Sequence, residues 1–250
     1  MKTLLRLLIA LSLLSTPAWA ETLTVAVAPN VKFAFDDLQA AFMKESGIAL
    51  KPVFAASGAL TVQIKNGAPF DVFVSADMSF PEEVHKSGFA AAPPKPYAYG
   101  ILVLWSAKDL DLSDWKTLLA DPRIARIALP NPKTAPYGRE AMKLLSALKL
   151  DEKIKTKLVY AESISQSANY VQTQAVDIGF NAKSVAASPE MQGKGKWVEI
   201  REAPVEPIAQ GAVILKHGQE HAPAAARKFF DFLFSPKARA IFAAHGYLLP

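Results

Sequence analysis

The chain has 250 residues, with 28 basic against 23 acidic side chains, a formal charge of +5 and no cysteine. The lack of cysteine excludes disulfides, thiolate metal sites and thiol nucleophiles. The basic residues are interspersed with acidic ones, so the concentrated basic face that nucleic acid requires is missing from the pattern.

At the start, Lys2 and Arg6 precede an apolar run that ends at Leu14, and the small residues Ala18 and Ala20 flank Trp19. This is the pattern of a secretion signal cleaved after Ala20. The run is shorter than the roughly 20 residues of a membrane-spanning helix. Losing residues 1–20 removes Lys2 and Arg6 and lowers the formal charge from +5 to +3. No later stretch is apolar enough to span, so the mature chain is expected to be soluble outside the inner membrane. It must hold itself together with a conventional core, which its length permits as one large domain or two lobes.

Strand-like and helix-like segments then alternate. "TLTVAV" is a β-branched run, and "FAFDDLQAAFMKESG" has helical spacing with a glycine stop. "ALKPVFAA" precedes the helical "ALTVQIKNG", and "DVFVSA" precedes "PEEVHKSG". This alternation predicts a mostly parallel sheet covered on both faces. Near residue 97 the character changes: "YAYGILVLWSA" is a long strand-like run without a helix beside it. Further strand–helix units follow in "RIARIALP" with "YGREAMKLLSALKL", and in "TKLVYA" with "SQSANYVQTQA" and "VDIGFNA". A second lone strand-like run, "IAQGAVILK", comes after the proline-punctuated "EAPVEP", and the chain closes on two helices broken at Ser235-Pro236. Two lone runs flanking a central block predict two lobes joined by two crossing segments. The first lobe is expected over 21–98 and 213–250, and the second over 99–212 with the crossings counted in it. No internal repeat of short period is present.

Four turns fall at predicted strand ends, each ahead of a helix: Ala28-Pro29-Asn30, Ala56-Ser57-Gly58, the Thr134–Gly138 segment, and Glu162-Ser163-Ile164-Ser165. In open α/β sheets ligands bind outside such strand ends. The first N–H groups of a helix lack intrahelical acceptors and carry the positive end of its dipole. Each serine or asparagine alone reads first as a helix cap. Two turns from each lobe together could surround one small anion with neutral donors.

At this point "LTVAVAPN", "FAASGAL", "PFDVFVSAD", "YGREAMKLL", the serine-rich turn before "YVQTQAVDIGFNA" and the ending "SPKARAIFAAHGYLLP", taken with the signal, resemble the periplasmic molybdate-binding protein family. These are receptors of ABC importers for molybdate and tungstate. The resemblance runs in order over essentially the whole mature chain. It implies a two-lobe periplasmic binding protein fold (type II), an α/β architecture with the ligand in the interlobe cleft. It also implies a monomer in the periplasm that is not an enzyme, needs no cofactor and meets a membrane permease as its partner. Molybdenum would be held only as its oxyanion, with no direct protein–metal ligand.

Carried over residue by residue, the resemblance makes Ser57 a ligand through hydroxyl and N–H, and Asn30 the polar ligand of the first turn. Tyr137 would offer its main-chain N–H, to which some relatives add a tyrosine hydroxyl. Ile164 would offer its N–H alone. Two departures stand out. Pro29 has no N–H, so the first turn has one donor fewer than relatives with threonine or serine there. Asn181 in "GFNA" stands where some relatives carry a tyrosine, and no role is carried onto it.

A fully deprotonated dianion only accepts hydrogen bonds, so neutral donors satisfy it, whereas monohydrogen phosphate brings a proton that needs an acceptor. Of the four turn tips only the fourth holds an acid, Glu162, which is expected to face solvent. The alternatives are a receptor for sulfate or another small oxyanion, and a secreted hydrolase using Ser57, which would need a histidine base and an acid in reach. "HGQEH" at 217–221 matches a zinc-protease pattern, but its setting after a strand and before Pro223 reads as a turn. "QGKGKW" at 192–197 reads as a polar surface turn, and the phenylalanines at 229, 230, 232 and 234 as core.

Overall fold

The computed structural model describes residues 21–250, so the expected secretion signal lies outside the described residues. Five strands form each of two sheets. In the first, β1 (Thr22–Val27) lies between β2 (Ala49–Phe54) and β3 (Val72–Val74), parallel to both. Helix α1 (Lys32–Ser46) connects β1 to β2, and α2 (Ser57–Lys65) connects β2 to β3. After α3 (Ser79–Lys86), β4 (Lys95–Gly100) forms the far edge of this sheet.

The long run at 97–107 is two strands. β4 ends at Gly100, and β5 (Leu102–Ser106) begins in the other sheet, so Ile101 is the crossing residue. In the second sheet β6 (Ile127–Pro130) pairs in parallel with β7 (Leu158–Ala161) and β8 (Ile178–Ala182). β5 pairs antiparallel with β8 and with β9 (Lys196–Glu199). Its helices include α4 (Trp115–Ala120), α5 (Pro136–Ala147), α6 (Asp151–Ile154), α7 (Ile164–Gln172) and α8 (Lys183–Ala186). The chain then returns through residues 200–207 to β10 (Ile208–Ile214), which inserts antiparallel between β3 and β4. It ends with α9 (Lys216–His221), α10 (Pro223–Phe232) and α11 (Pro236–Ala244).

Both sheets are therefore mixed. The strand–helix units supply the parallel half, and each crossing strand enters antiparallel because it arrives from the opposite lobe. The first sheet is buried on both faces, as strands between helical layers are. One face packs Leu23, Val25 and Val27 against Phe35, Phe42, Phe229 and Phe242, with the Phe42 and Phe229 ring centroids 5.2 Å apart. The other packs Ala26 and Phe73 against Leu60, Ile64 and Val213. The second lobe has its own core around Trp105, Leu129, Leu144 and Phe180, and Ala28 and Ala76, at the strand ends of the first sheet, belong to that same cluster. The two lobes thus meet at the strand ends. Among the described residues no helix is long and apolar enough to cross a membrane.

The expected turn at 217–221 is instead the helix α9. It starts directly off β10, with Leu215 extended before it, and Pro223 then opens the next helix. His217 and His221 share a face there, their rings stacked with centroids 4.3 Å apart. His217 Nδ1 pairs with the buried Asp71 at 2.9 Å. Among the described residues no group of three histidine or acidic side chains is placed to hold a metal ion.

Candidate oxyanion site

The four turns read from the sequence come together where the lobes meet. Residues 29–31 form a single 3₁₀ turn after β1, and α7 and α8 of the second lobe pack against it. Ser57 is the first residue of α2, Tyr137 the second of α5 and Ile164 the first of α7, so their N–H groups have no intrahelical acceptor. Pro136 opens α5, where its missing N–H costs nothing. All four candidates are buried: Asn30 and Ser57 are each 1% exposed, Tyr137 is 0% and Ile164 3%.

Two of them are not helix caps. The residue before α2 is Ala56, and no side chain caps that helix. Ser57 Oγ accepts instead from the N–H of Ala76 at 3.0 Å, which leaves the hydroxyl proton for another acceptor. Asn30 Nδ2 donates to Gln210 Oε1 at 2.9 Å and to Tyr247 Oη at 3.0 Å. Its carbonyl accepts from Ser184 Oγ at 2.9 Å and from Tyr247 Oη at 2.7 Å. Asn30 Oδ1 is buried without a hydrogen-bonding partner among the described residues. Ser163, by contrast, is an ordinary cap: its Oγ accepts from Gln166 N at 3.3 Å. Asn181 holds the same turn from below, donating from Nδ2 to the Ile164 carbonyl at 3.3 Å. Glu162 is exposed, as expected.

Three residues missed in the sequence complete the network. Gln210 Nε2 donates to Tyr137 Oη at 2.9 Å, and Gln210 Oε1 accepts from Tyr97 Oη at 2.8 Å. Tyr97 Oη also lies 2.9 Å from the Ser75 carbonyl. The signal for Gln210 was its place as the one amide in the apolar run "IAQGAVILK". Tyr97 and Tyr247 carry no such mark, because a tyrosine in a strand or tail reads as core. Burial pushes the phenols of Tyr97, Tyr137 and Tyr247 upward, and for Tyr137 the hydrogen bond from Gln210 pulls the other way. All three stay neutral and keep their protons.

Across the cleft Gly58 N donates to Thr134 O at 2.9 Å, and Arg139 forms an ion pair with Asp77. The Arg139 guanidinium lies over the Phe80 ring, 5.2 Å from its centroid. Asp77 also accepts from Ser79 Oγ and Phe80 N, so its oxygens are engaged. A cavity of about 470 Å³ lies beside the crossing segments, lined by Ile101, Lys183, Glu199, Val205 and Leu248 among others, and none of the four candidates lines it.

Two five-stranded lobes meeting at their strand ends, with donor turns from both at the junction, is the architecture of a solute receptor, and residues 23–248 match the family model for bacterial extracellular solute-binding proteins. The chain belongs to that family. Among similar members of it is the molybdate-binding protein ModA of Azotobacter vinelandii, 39% identical, with 98% of each chain covered. The ModA of Rhodobacter capsulatus is 36% identical over 94% of this chain and 91% of the relative. The solved structure of the Azotobacter vinelandii periplasmic molybdate-binding protein superposes with a TM-score of 0.85 at 35% identity, covering 91% of this chain and 99% of that one. The fold of this solute-binding protein is thus the two-lobe one expected from its sequence.

Proposed function

We propose that this chain is a periplasmic receptor that captures molybdate, or tungstate with the same charge and shape, and delivers it to the permease of an ABC importer. The observation that carries the reading is the donor set. Ser57, Tyr137 and Ile164 stand at helix starts drawn from both lobes with N–H groups free of intrahelical acceptors, Ser57 Oγ keeps its proton, the Asn30 turn packs against α7 and α8, and none of these donors is charged. The names of the 39% and 36% identical relatives support the same ion.

Neutral donors suit an ion whose oxygens only accept. A lysine or arginine in their place would attract any anion and would itself need desolvating. In this reading Asn30 presents an amide donor. Turning the Asn30 and Gln210 amides end for end moves no heavy atom. It gives Asn30 Oδ1 the donor Gln210 Nε2, with the single Tyr247 proton turned either to Oδ1 or to the Asn30 carbonyl that Ser184 Oγ also serves, and it releases Asn30 Nδ2 for the anion. The carboxylate near this junction, Asp77, is engaged by Arg139, Ser79 and Phe80, so it is not free to take the proton of monohydrogen phosphate.

On this account residues 1–20 direct export and are removed. The lobes are residues 21–100 with 208–250, and 101–207, a few residues off the boundaries expected from the sequence because β4 runs to Gly100 and β10 begins at Ile208 in the first sheet. The receptor works as a monomer, performs no turnover and binds no nucleic acid. Calorimetric titration with molybdate, tungstate, sulfate and phosphate tests the reading. Tight binding of one molybdate or tungstate per chain, with phosphate rejected, is expected. Phosphate competing with molybdate at comparable concentration would overturn it.

A further inference from the structure

We infer that Gln210 is a positioning residue for the anion: it ties the Asn30 turn of the first lobe to Tyr137 of the second and so fixes the span between the donor turns in the closed protein. The inference rests on the reading of this junction as an oxyanion site. Gln210 is 0% exposed in the middle of β10. A buried amide is costly unless its hydrogen bonds are made, and here they are made to three separate parts of the chain: Asn30 after β1, Tyr97 on β4 and Tyr137 on α5.

The backbone is shaped for this contact. The pairing of β10 with β4 shifts register between Gln210 and Gly211, an irregularity of the kind that re-aims a side chain. On the facing strand, a Cβ at Gly100 would lie 2.0 Å from Tyr137 Oη and 2.2 Å from Gln210 Nε2. Only glycine leaves room for the two groups to meet.

β10 is hydrogen-bonded into the first sheet, whereas Tyr137 belongs to a helix packed on the second. The Gln210–Tyr137 bond therefore spans the lobes and must break when they part. An interaction made only on closure retains the ligand and does little for its capture. Gln210 acts through Tyr137 and the Asn30 turn and need not touch the anion.

Stopped-flow measurement with sodium molybdate tests this on the full mature chain. Gln210→Met should release molybdate about tenfold faster while the association rate stays within about twofold. Tyr137→Phe should also speed release, and the double variant should fall short of the product of the two single effects, because both remove the one Gln210–Tyr137 bond while Gln210 alone also serves Asn30 and Tyr97. Gly100→Ala keeps both side chains and drives them apart. It serves as a second variant should Gln210→Met fail to fold, and it should also speed release. Release unchanged in Gln210→Met or Gly100→Ala, or effects that multiply in the double variant, would overturn the role of Gln210. Wild-type protein that binds no molybdate would instead overturn the oxyanion reading on which it rests.

Discussion

The N–H of Gly58 donates to the carbonyl of Thr134 across the cleft at 2.9 Å, so a helix start in one lobe touches the backbone of the other directly. A Cβ on Gly58 would lie 2.9 Å from Thr134 Cα and 3.0 Å from Phe80 Cζ. The backbone clash lies across the cleft, whereas within its own lobe only the end of the Phe80 ring, which can shift, crowds the position. Gly58→Ala should leave the melting temperature nearly unchanged and lower molybdate affinity by about tenfold, since a lost interlobe contact of about 1.4 kcal/mol has that effect. Small-angle scattering with and without molybdate should show less compaction in the variant than in the wild type.

Arg139 and Asp77 make a second interlobe contact, at the rim. The Arg139 side chain is 42% exposed against 11% for Asp77, so solvent screens much of the attraction. Such a pair is worth about 1 kcal/mol or less. Arg139→Met should therefore weaken molybdate binding by no more than about fivefold. The donors themselves are uncharged, so wild-type affinity should fall only weakly as salt rises. A steep loss measured by calorimetry between low and moderate salt would place a cation such as Lys32, Lys133 or Arg139 directly on the ligand.

The buried tyrosines give a prediction in pH. Burial raises the phenol pKa of Tyr97, Tyr137 and Tyr247 above the usual value near 10.0. A group whose pKa is raised by folding contributes stability that is complete below its unfolded pKa and is lost as pH rises through the folded value. Stability should thus be insensitive to these groups at neutral pH and fall above about pH 10. In an ultraviolet titration of the folded protein, three of the six tyrosines should fail to ionise until the chain unfolds.

The lobes were legible in the sequence because strand–helix alternation and glycine stops are local signals. The candidate turns were legible because Ser57, Tyr137 and Ile164 stand at helix starts. What could not be read was tertiary. Nothing local says that Ser57 Oγ would accept from Ala76, nineteen residues on, or that Asn30 would meet Gln210 and Tyr247 from the far end of the chain. The "HGQEH" segment was misjudged for a related reason: its glycine and the following proline are turn signals, yet the segment packs against Asp71 and α10 as a helix. The mixed sheets have the same origin, since the direction in which a crossing strand returns is set by the path between lobes.

In the proposed receptor a dianion taken out of water is held by neutral donors, with Ser57 among them. Calorimetric titration of Ser57→Ala with sodium molybdate tests it most directly. Losing one hydrogen bond to a charged ligand should lower affinity by about 10- to 150-fold. The N–H of Ala76 loses its acceptor in the same variant, so thermal unfolding should show a cost of about 1–3 kcal/mol in a protein that still folds. Ile164→Val, which keeps the main-chain donor, should bind as the wild type does. Wild-type affinity in a folded Ser57→Ala protein would contradict the account and leave that hydroxyl as a brace for the Ala76 backbone alone.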